Sequence, residues 1–407
     1  MRSFKWPWLG VLIPCTLIAI LGYGSHYFVF RNHMSPERQI VFQVCLTLLW
    51  ISYYLAIVID PGSPPKNFEP QQGEWRRWCK KCENYKPERT HHCKTCKKCV
   101  LKMDHHCPWT YNCVGHGNLP HFMRFLFWVI FCTSFVFIEL SKRALQYYRD
   151  SNLPSYLISK IEMVAVITLL PLDFFVLITI SILFIRCIIN MVFRGMTQIE
   201  VWEKERIESQ LKSGRIWAQI KKNYRILHGK DMPRLISWSK HSRYYEEEGM
   251  EAVTESEDMQ VLENEHEDEP WKDFTIDDLV FPYDLGMWIN ATDACGTPLV
   301  WLVPFGSPKI EGFHFNKNEF VEDDQLGLPW PPDGGHQENI PIEDEEIDGE
   351  GTQLEDLGLA EYKRRLFRDP RVNLSRNEWM NDLGETLDDF GVDLEAEDAE
   401  NDQLIAK

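Results

Sequence analysis

The sequence predicts an all-α polytopic membrane protein with four transmembrane helices, a cytosolic cysteine-rich domain that binds two zinc ions, and a partly disordered C-terminal tail. Three observations support this prediction. The first 200 of 407 residues hold nearly all the long apolar runs, seven of twelve cysteines lie between Cys79 and Cys113, and the second half is acidic. The net charge of -18 argues against nucleic-acid binding.

Four segments match the length of a membrane-spanning helix. A bilayer core of roughly 30 Å requires roughly 20 apolar residues in a helix. The first segment is too long for a cleaved secretory signal, so we expect it to be retained. The four segments are residues 9–30, 40–59, 122–140 and 165–190.

The distribution of positive charge predicts the orientation. The loop 61–121 carries eleven Lys and Arg residues, whereas 31–39 carries two and 141–160 carries four. Lys and Arg favour the cytosolic side, so the large loop and both termini are expected in the cytosol. Reducing conditions there favour zinc over disulfides.

The loop "WCKKCENYKPERTHHCKTCKKCVLKMDHHCPWTYNCVGHGN" has the spacing of zinc ligands. A CxxC pair lets two sulfurs converge on one ion, and a structural zinc takes four protein ligands. His92 and Cys93 are adjacent and point to opposite sides of an extended segment, so they are expected to bind different ions. This predicts two interleaved sites: Cys79, Cys82, His92 and Cys99 in one, and Cys93, Cys96, His106 and Cys113 in the other.

Two such sites use six of the seven cysteines, and the neighbours of Cys107 single it out as the seventh. Asp104 and His105 precede it, and they are the orienting acid and the base that a thiol nucleophile requires. The alternative is that Cys107 or His105 is simply another metal ligand. His116 and His121 are expected to be polar surface residues.

This loop resembles the DHHC-type protein S-acyltransferases, the palmitoyltransferases. The family's cysteine and histidine pattern is met without a gap from Cys79 to Asn118. The resemblance implies that Cys107 accepts the acyl chain from acyl-coenzyme A and passes it to cysteine thiols of proteins, mainly membrane proteins. It also implies that Asp104 and His105 activate Cys107, while His106 is a zinc ligand.

Three further motifs resemble the family. Asp60-Pro61-Gly62 matches its DPG motif, and residues 197–200 match its TTxE motif except that Gln198 replaces the second threonine. This replacement puts a hydroxyl contact to the catalytic region in doubt. Residues 281–306 resemble its aromatic C-terminal motif, with Asn290 at the polar centre, and are expected to pack against the catalytic loop.

A narrower resemblance is to fungal members of this family in the endoplasmic reticulum that act on chitin synthase. It is carried by stretches such as "SYYLAI", "LPWPPDGG" and "LGETLDDFGVD", and it implies an endoplasmic-reticulum membrane location with chitin synthase as a substrate.

Two rival functions are a zinc-based interaction module, such as a membrane-anchored RING-type ligase, and a transporter. The Asp-His pair beside a surplus cysteine argues against the first, and the scarcity of charges in the spans argues against the second.

These predictions divide the chain into five regions along its length. The acidic stretch 246–270 holds twelve Asp and Glu without Lys or Arg, which is typical of a solvated linker. The regions are 1–60 with the first two helices, 61–121 with the zinc domain, 122–193 with the last two helices, 194–306 with the C-terminal motifs around the acidic linker, and 307–407 as an acidic, largely flexible tail.

Overall fold

The computed structural model describes most of the chain up to residue 335 and one segment near the C-terminus. The acidic stretch 246–270 lies outside the described residues. Apart from isolated positions, the described ranges are 8–152, 158–212, 216–233, 274–304, 311–335 and 374–397.

Four helices are long and apolar enough to cross a membrane, which confirms the predicted spans. They are α1 (Trp8–His33), α2 (Pro36–Val58), α3 (Leu119–Arg149) and α4 (Lys160–Phe193). Helix α3 ends well after the predicted residue 140, because its last turns carry charged residues that an apolar window excludes but a helix accommodates. The protein is therefore a multi-pass membrane protein.

The helices pack around a common apolar core, with α3 in contact with both α2 and α4. Leu46 of α2 and Leu126 of α3 are almost completely buried there. Outward-facing side chains such as Ile40 and Ile167 are about two-thirds exposed, at 64 % each. This distribution fits a bundle whose outer surface is covered by lipid.

The loop between α2 and α3 contains six strands that the sequence analysis did not include. Each strand has three residues, and consecutive strands pair as antiparallel hairpins. Strands this short are not stable alone, so the hairpins need support from outside their own ladders. The pairs are β1 (Arg77–Cys79) with β2 (Asn84–Lys86), β3 (His91–Cys93) with β4 (Lys98–Val100), and β5 (His105–Cys107) with β6 (Asn112–Val114).

The C-terminal region folds back on the hairpins. Its described helices are α5 (Gln198–Lys212), α6 (Trp217–His228), α7 (Met287–Cys295) and the short α8 (Leu394–Glu397). A second apolar core joins α5 and α6 to residues around Trp330 and to Trp75 of the large loop. The Trp75 indole N–H lies 3.0 Å from the carbonyl oxygens of Pro329 and of Pro331.

The prediction of a largely flexible tail from residue 307 onward misses two packed segments, 311–335 and 374–397. Leu326, Trp379 and Val392 in these segments are buried. The tail is rich in Asp and Glu and has no long apolar run, so composition alone indicates disorder. Leu326 nevertheless packs into the second apolar core, and Trp379 and Val392 pack into a third one with residues of the hairpins and α5.

Candidate active site and metal centres

Eight cysteine and histidine side chains of the hairpins gather into two groups of four. Within each group the ligand atoms all lie within 4.8 Å of one another. The groups are Cys79, Cys82, His92 and Cys99, and Cys93, Cys96, His106 and Cys113. The structure thus brings together the two sets that the interleaved spacing predicts.

The distances within the groups fit tetrahedral zinc coordination. His92 Nδ1 lies 3.3, 3.3 and 3.7 Å from the three sulfurs of its group. His106 Nδ1 lies 3.4, 3.6 and 3.7 Å from those of the other group. With Zn–S near 2.3 Å and Zn–N near 2.0 Å, a tetrahedron separates nitrogen and sulfur by about 3.5 Å. Both groups could therefore hold a metal ion through protein ligands alone.

Cys107 lies outside both groups, at the end of β5, and is only 3 % exposed. His105 Nδ1 lies 2.7 Å from Asp104 Oδ2, and His105 is near enough to Cys107 for each side chain to shift the pKa of the other. The three side chains therefore form a connected acid, base and thiol.

The protonation of this trio favours a thiolate. Burial raises the pKa of the Cys107 thiol, but the hydrogen bond and charge of His105 and a hydrogen bond from Thr110 outweigh it, so the pKa falls below the usual range. Burial lowers the pKa of His105, but hydrogen bonds to Asp104 and Cys107 raise it to about 10. Thiolate and imidazolium stabilise each other here.

Helices α1 and α2 fix the catalytic hairpin β5–β6 to the membrane bundle. The Asn112 side chain donates to the carbonyls of Ile57 and Ile59 at the end of α2, at 3.1 and 2.9 Å. A Cβ atom on Gly10 of α1 would lie 1.9 Å from the Pro108 carbonyl oxygen. Tyr53 of α2 donates its hydroxyl to the Trp109 carbonyl at 2.7 Å. The nucleophile is therefore held at the ends of two membrane helices.

The DPG motif lies at the junction between α2 and the zinc domain. Asp60 accepts the Gly62 N–H at 2.7 Å through one carboxylate oxygen and contacts Lys98 at 2.7 Å through the other. The Pro61 carbonyl accepts the Gly117 N–H at 2.9 Å. Gly62 has a φ of +96°, which favours glycine at this turn.

The start of α5 contacts the catalytic acid through its backbone. The Gln198 N–H donates to Asp104 Oδ1 at 2.8 Å, so the carboxylate is held between α5 and His105. A backbone donor is independent of the side chain, and the replacement of threonine by Gln198 does not remove this contact.

Sequence reasoning missed Arg89 and Tyr283. The Arg89 guanidinium binds both carboxylate oxygens of Glu200, at 2.6 and 2.5 Å, in a buried ion pair. It also lies over the Tyr283 ring, 4.5 Å from the centroid. This network joins the zinc domain to α5 and to the aromatic C-terminal motif. Arg89 and Glu200 are more than a hundred residues apart in the sequence, so no local sequence pattern indicates that they pair.

Asn290, at the centre of the aromatic motif, binds the end of the fourth span. Its amide donates to the Val192 carbonyl at 3.0 Å and accepts the Leu285 N–H at 3.0 Å.

The prediction that His116 and His121 are surface residues was wrong, since both are 7 % exposed. Neither belongs to the two metal groups.

Together, the membrane helices, the two Cys/His groups and the Asp104–His105–Cys107 trio define a membrane-embedded transferase with a thiol nucleophile. A model of the family described as "DHHC palmitoyltransferase" matches residues 72–205. The chain belongs to the DHHC palmitoyltransferase family and is a protein S-acyltransferase.

The chain is similar over its whole length to fungal proteins named Palmitoyltransferase PFA4. It is 61 % identical to the Debaryomyces hansenii protein, covering 100 % of this chain and 98 % of the relative. The Candida albicans and Saccharomyces cerevisiae proteins are 44 % and 42 % identical, each covering 97 % of this chain and 99 % of the relative. The predicted family is confirmed, and the RING-type and transporter alternatives are set aside.

Proposed function

We propose that the protein transfers a long-chain acyl group from acyl-coenzyme A to cysteine thiols of membrane proteins through a thioester on Cys107. One observation carries this proposal. Cys107 lies outside both metal groups, and its pKa is lowered by the neighbouring His105, whose Nδ1 contacts Asp104 at 2.7 Å. This arrangement supplies a nucleophile, a base and an orienting acid.

In the first half-reaction the Cys107 thiolate attacks the thioester carbonyl of acyl-coenzyme A. The new bond joins Cys107 Sγ to the acyl carbon, and the bond between that carbon and the coenzyme A sulfur breaks. The imidazolium of His105 gives its proton to the leaving thiolate, so coenzyme A departs as a thiol. His105 is then neutral, and its Nδ1 remains hydrogen-bonded to Asp104.

In the second half-reaction a substrate cysteine attacks acyl-Cys107. Neutral His105 accepts the proton of the incoming thiol, the acyl carbon is transferred to the substrate sulfur, and Cys107 leaves as the thiolate. The starting imidazolium–thiolate pair is restored. The same histidine acts as acid in one half-reaction and as base in the other.

The location of Cys107 suits a lipid substrate. Its side chain belongs to the apolar core of the four spans, together with Phe122 and Val114. A buried acyl chain gains roughly 0.8 kcal/mol per CH₂ group. An acyl chain on Cys107 therefore favours the helix bundle over water, while the thioester stays at the membrane surface.

The two Cys/His groups would hold two structural zinc ions. When bound, zinc supplies folding free energy to the hairpins, which are too short to fold alone. One ligand, His106, lies between the catalytic residues His105 and Cys107 along β5. In this proposal the metals keep β5 in place and take no part in acyl transfer.

The proposed nucleophile is tested by incubating purified protein with labelled palmitoyl-coenzyme A. We expect label that hydroxylamine releases, and its loss in Cys107→Ser. Cys295→Ser is the matched control, because Cys295 is a half-buried free cysteine outside both metal groups and should retain wild-type labelling. Undiminished labelling of Cys107→Ser would refute the assignment.

We further propose that the protein resides in the endoplasmic-reticulum membrane with both termini in the cytosol. The orientation is supported by the eleven Lys and Arg residues of loop 61–121. A glycosylation acceptor inserted in 31–39 should be modified, whereas one inserted in loop 61–121 should not. Modification of the acceptor in 61–121 alone would show that the orientation is the opposite of the one proposed.

The five-region division of the chain also stays a proposal, with the packed segments 311–335 and 374–397 inside its fifth region.

Chitin synthase is the proposed substrate. This assignment rests on the resemblance carried by the stretches quoted above. Acyl-biotin exchange on chitin synthase should lose its signal in cells that carry only Cys107→Ser. An unchanged signal would remove chitin synthase from the proposal and leave the transferase activity standing.

A further inference from the structure

The segment 385–397, here called the C-terminal strap, crosses strands from two different hairpins. The His106 N–H donates to the Phe390 carbonyl at 2.8 Å, and the Asp393 N–H donates to the His92 carbonyl at 2.8 Å. Val392 forms an isolated antiparallel bridge with Cys93. The strap thus joins β3, which contributes one ligand to each Cys/His group, to β5, which contributes His106 to the second group.

The strap reaches the centre of the catalytic strand. His106 lies between the base His105 and the nucleophile Cys107, and the Phe390 carbonyl is the acceptor for its backbone N–H. A Cβ atom on Gly391 would lie 2.6 Å from the Cβ of His106. A glycine is therefore required where the strap passes over β5.

Both ends of the strap are anchored to other parts of the molecule. Glu385 pairs with Arg186 of α4 at 2.9 Å, and its carbonyl accepts the Trp202 indole N–H at 3.0 Å. At the other end Asp393 pairs with Lys81 at 2.7 Å, and Ala396 is fully buried beside Cys79 and Cys99. The strap is therefore held between a membrane helix and the first hairpin.

The charge of the strap complements the surface that it covers. Asp388, Asp393 and Glu395 form ion pairs with Lys94 and Lys81 of the zinc domain. These contacts add to the backbone hydrogen bonds and to the burial of Phe390 and Val392. Polar, apolar and backbone contacts all favour the same docked position.

We propose that the C-terminal strap is a positioning element for acyl transfer, which holds β5 so that His105 and Cys107 keep their reactive geometry. This inference rests on the proposed function of Cys107. It assigns to Phe390 and Gly391 a role that acts through the backbone of His106, since neither residue belongs to the Asp104–His105–Cys107 trio.

The test compares two glycine substitutions in the full-length protein. Gly391→Ala places a methyl group against His106, whereas Gly384→Ala lies just before the strap and its Cβ meets nothing within 4 Å. The two glycines have φ values of +85° and +74°, so both variants place an alanine at a positive φ. Their difference therefore isolates the contact with β5.

Relieving a 2.6 Å contact moves β5 by about 1 Å, and a displacement of that size costs up to about 100-fold in rate. We expect Gly391→Ala to form acyl-Cys107 about 10- to 100-fold more slowly than Gly384→Ala. The KM for palmitoyl-coenzyme A should stay within about twofold, since no substrate contact is altered, and both metal ions should be retained. Equal rates in the two variants would overturn the proposal.

Hydrogen exchange provides a readout that does not depend on acylation. The fragment that contains His106 should exchange its amide protons faster in Gly391→Ala than in Gly384→Ala. If wild-type protein formed no thioester on Cys107, the proposed function would fail, whereas this comparison would still test the docking. Unchanged exchange in Gly391→Ala would show that the strap does not hold β5.

If Gly391→Ala fails to fold, a charge swap between Lys94 and Asp388 tests the positioning role of the strap. Lys94→Glu repels Asp388 and should slow acylation about threefold, as expected for a surface pair. The double variant Lys94→Glu, Asp388→Lys should restore the rate. A wild-type rate in Lys94→Glu, or no recovery in the double variant, would overturn the proposal.

Discussion

Replacing Asp104 by asparagine removes the charge that orients the catalytic base and keeps nearly the same shape. In the wild type one carboxylate oxygen accepts the Gln198 N–H at 2.8 Å, and the other lies 2.7 Å from His105 Nδ1. An asparagine offers one oxygen and one NH₂ group. Whichever way the amide is turned, one of the two donors then faces another donor.

The magnitude follows from the lost hydrogen bond. A hydrogen bond to a charged group contributes about 1.5–3 kcal/mol. Since each 1.36 kcal/mol is a factor of ten in rate, formation of acyl-Cys107 should slow by about 10- to 150-fold. The KM for palmitoyl-coenzyme A should change little, because Asp104 acts on His105 and not on the substrate.

Single-turnover labelling with palmitoyl-coenzyme A measures this rate directly. Asp293→Asn is the matched control, because it removes one carboxylate charge near Lys102 without touching the catalytic trio. Metal content should remain at two ions per chain in both variants. A rate for Asp104→Asn within twofold of wild type, with metals retained, would show that His105 needs no orienting acid.

Three further substitutions address the supports of the site. Cys82→Ser removes one ligand of one group, so metal analysis should fall from two ions to one; two ions would contradict the ligand assignment. Gly10→Ala overpacks the contact of α1 with the catalytic hairpin by about 1–3 kcal/mol, so labelling should slow roughly tenfold or more. Gly24→Ala, whose Cβ meets nothing within 4 Å, should label normally. Arg89→Met leaves Glu200 buried without its cation and should destabilise the fold by about 3–5 kcal/mol in thermal unfolding, with recovery when Glu200→Gln is added; an unchanged Tm would refute this pairing.

The membrane helices and the metal groups could be predicted because their signals are local. A span needs only a sufficient apolar run, and the CxxC pairs place ligands within a few residues of one another. The alternation of His92 and Cys93 between opposite sides was enough to assign them to different groups, and the structure places them so.

Contacts between distant segments could not be predicted in the same way. Arg89 meets Glu200 across 111 residues, and the partner of Asp104 is a backbone N–H whose position depends on where α5 begins. The strap was missed because its acidic composition indicates a solvated chain. Its docking depends on lysines and apolar surface that exist only once the hairpins have folded.

The catalytic hairpin gains its rigidity from many external ties. Its two strands have three residues each, fewer than a stable isolated hairpin needs. Asn112 ties it to α2, Gln198 ties its acid to α5, and Phe390 ties the centre of β5 to the strap. Because these ties come from different parts of the chain, the position of β5 depends on all of them. A displacement in any one of them should therefore lower the acylation rate before it unfolds the protein.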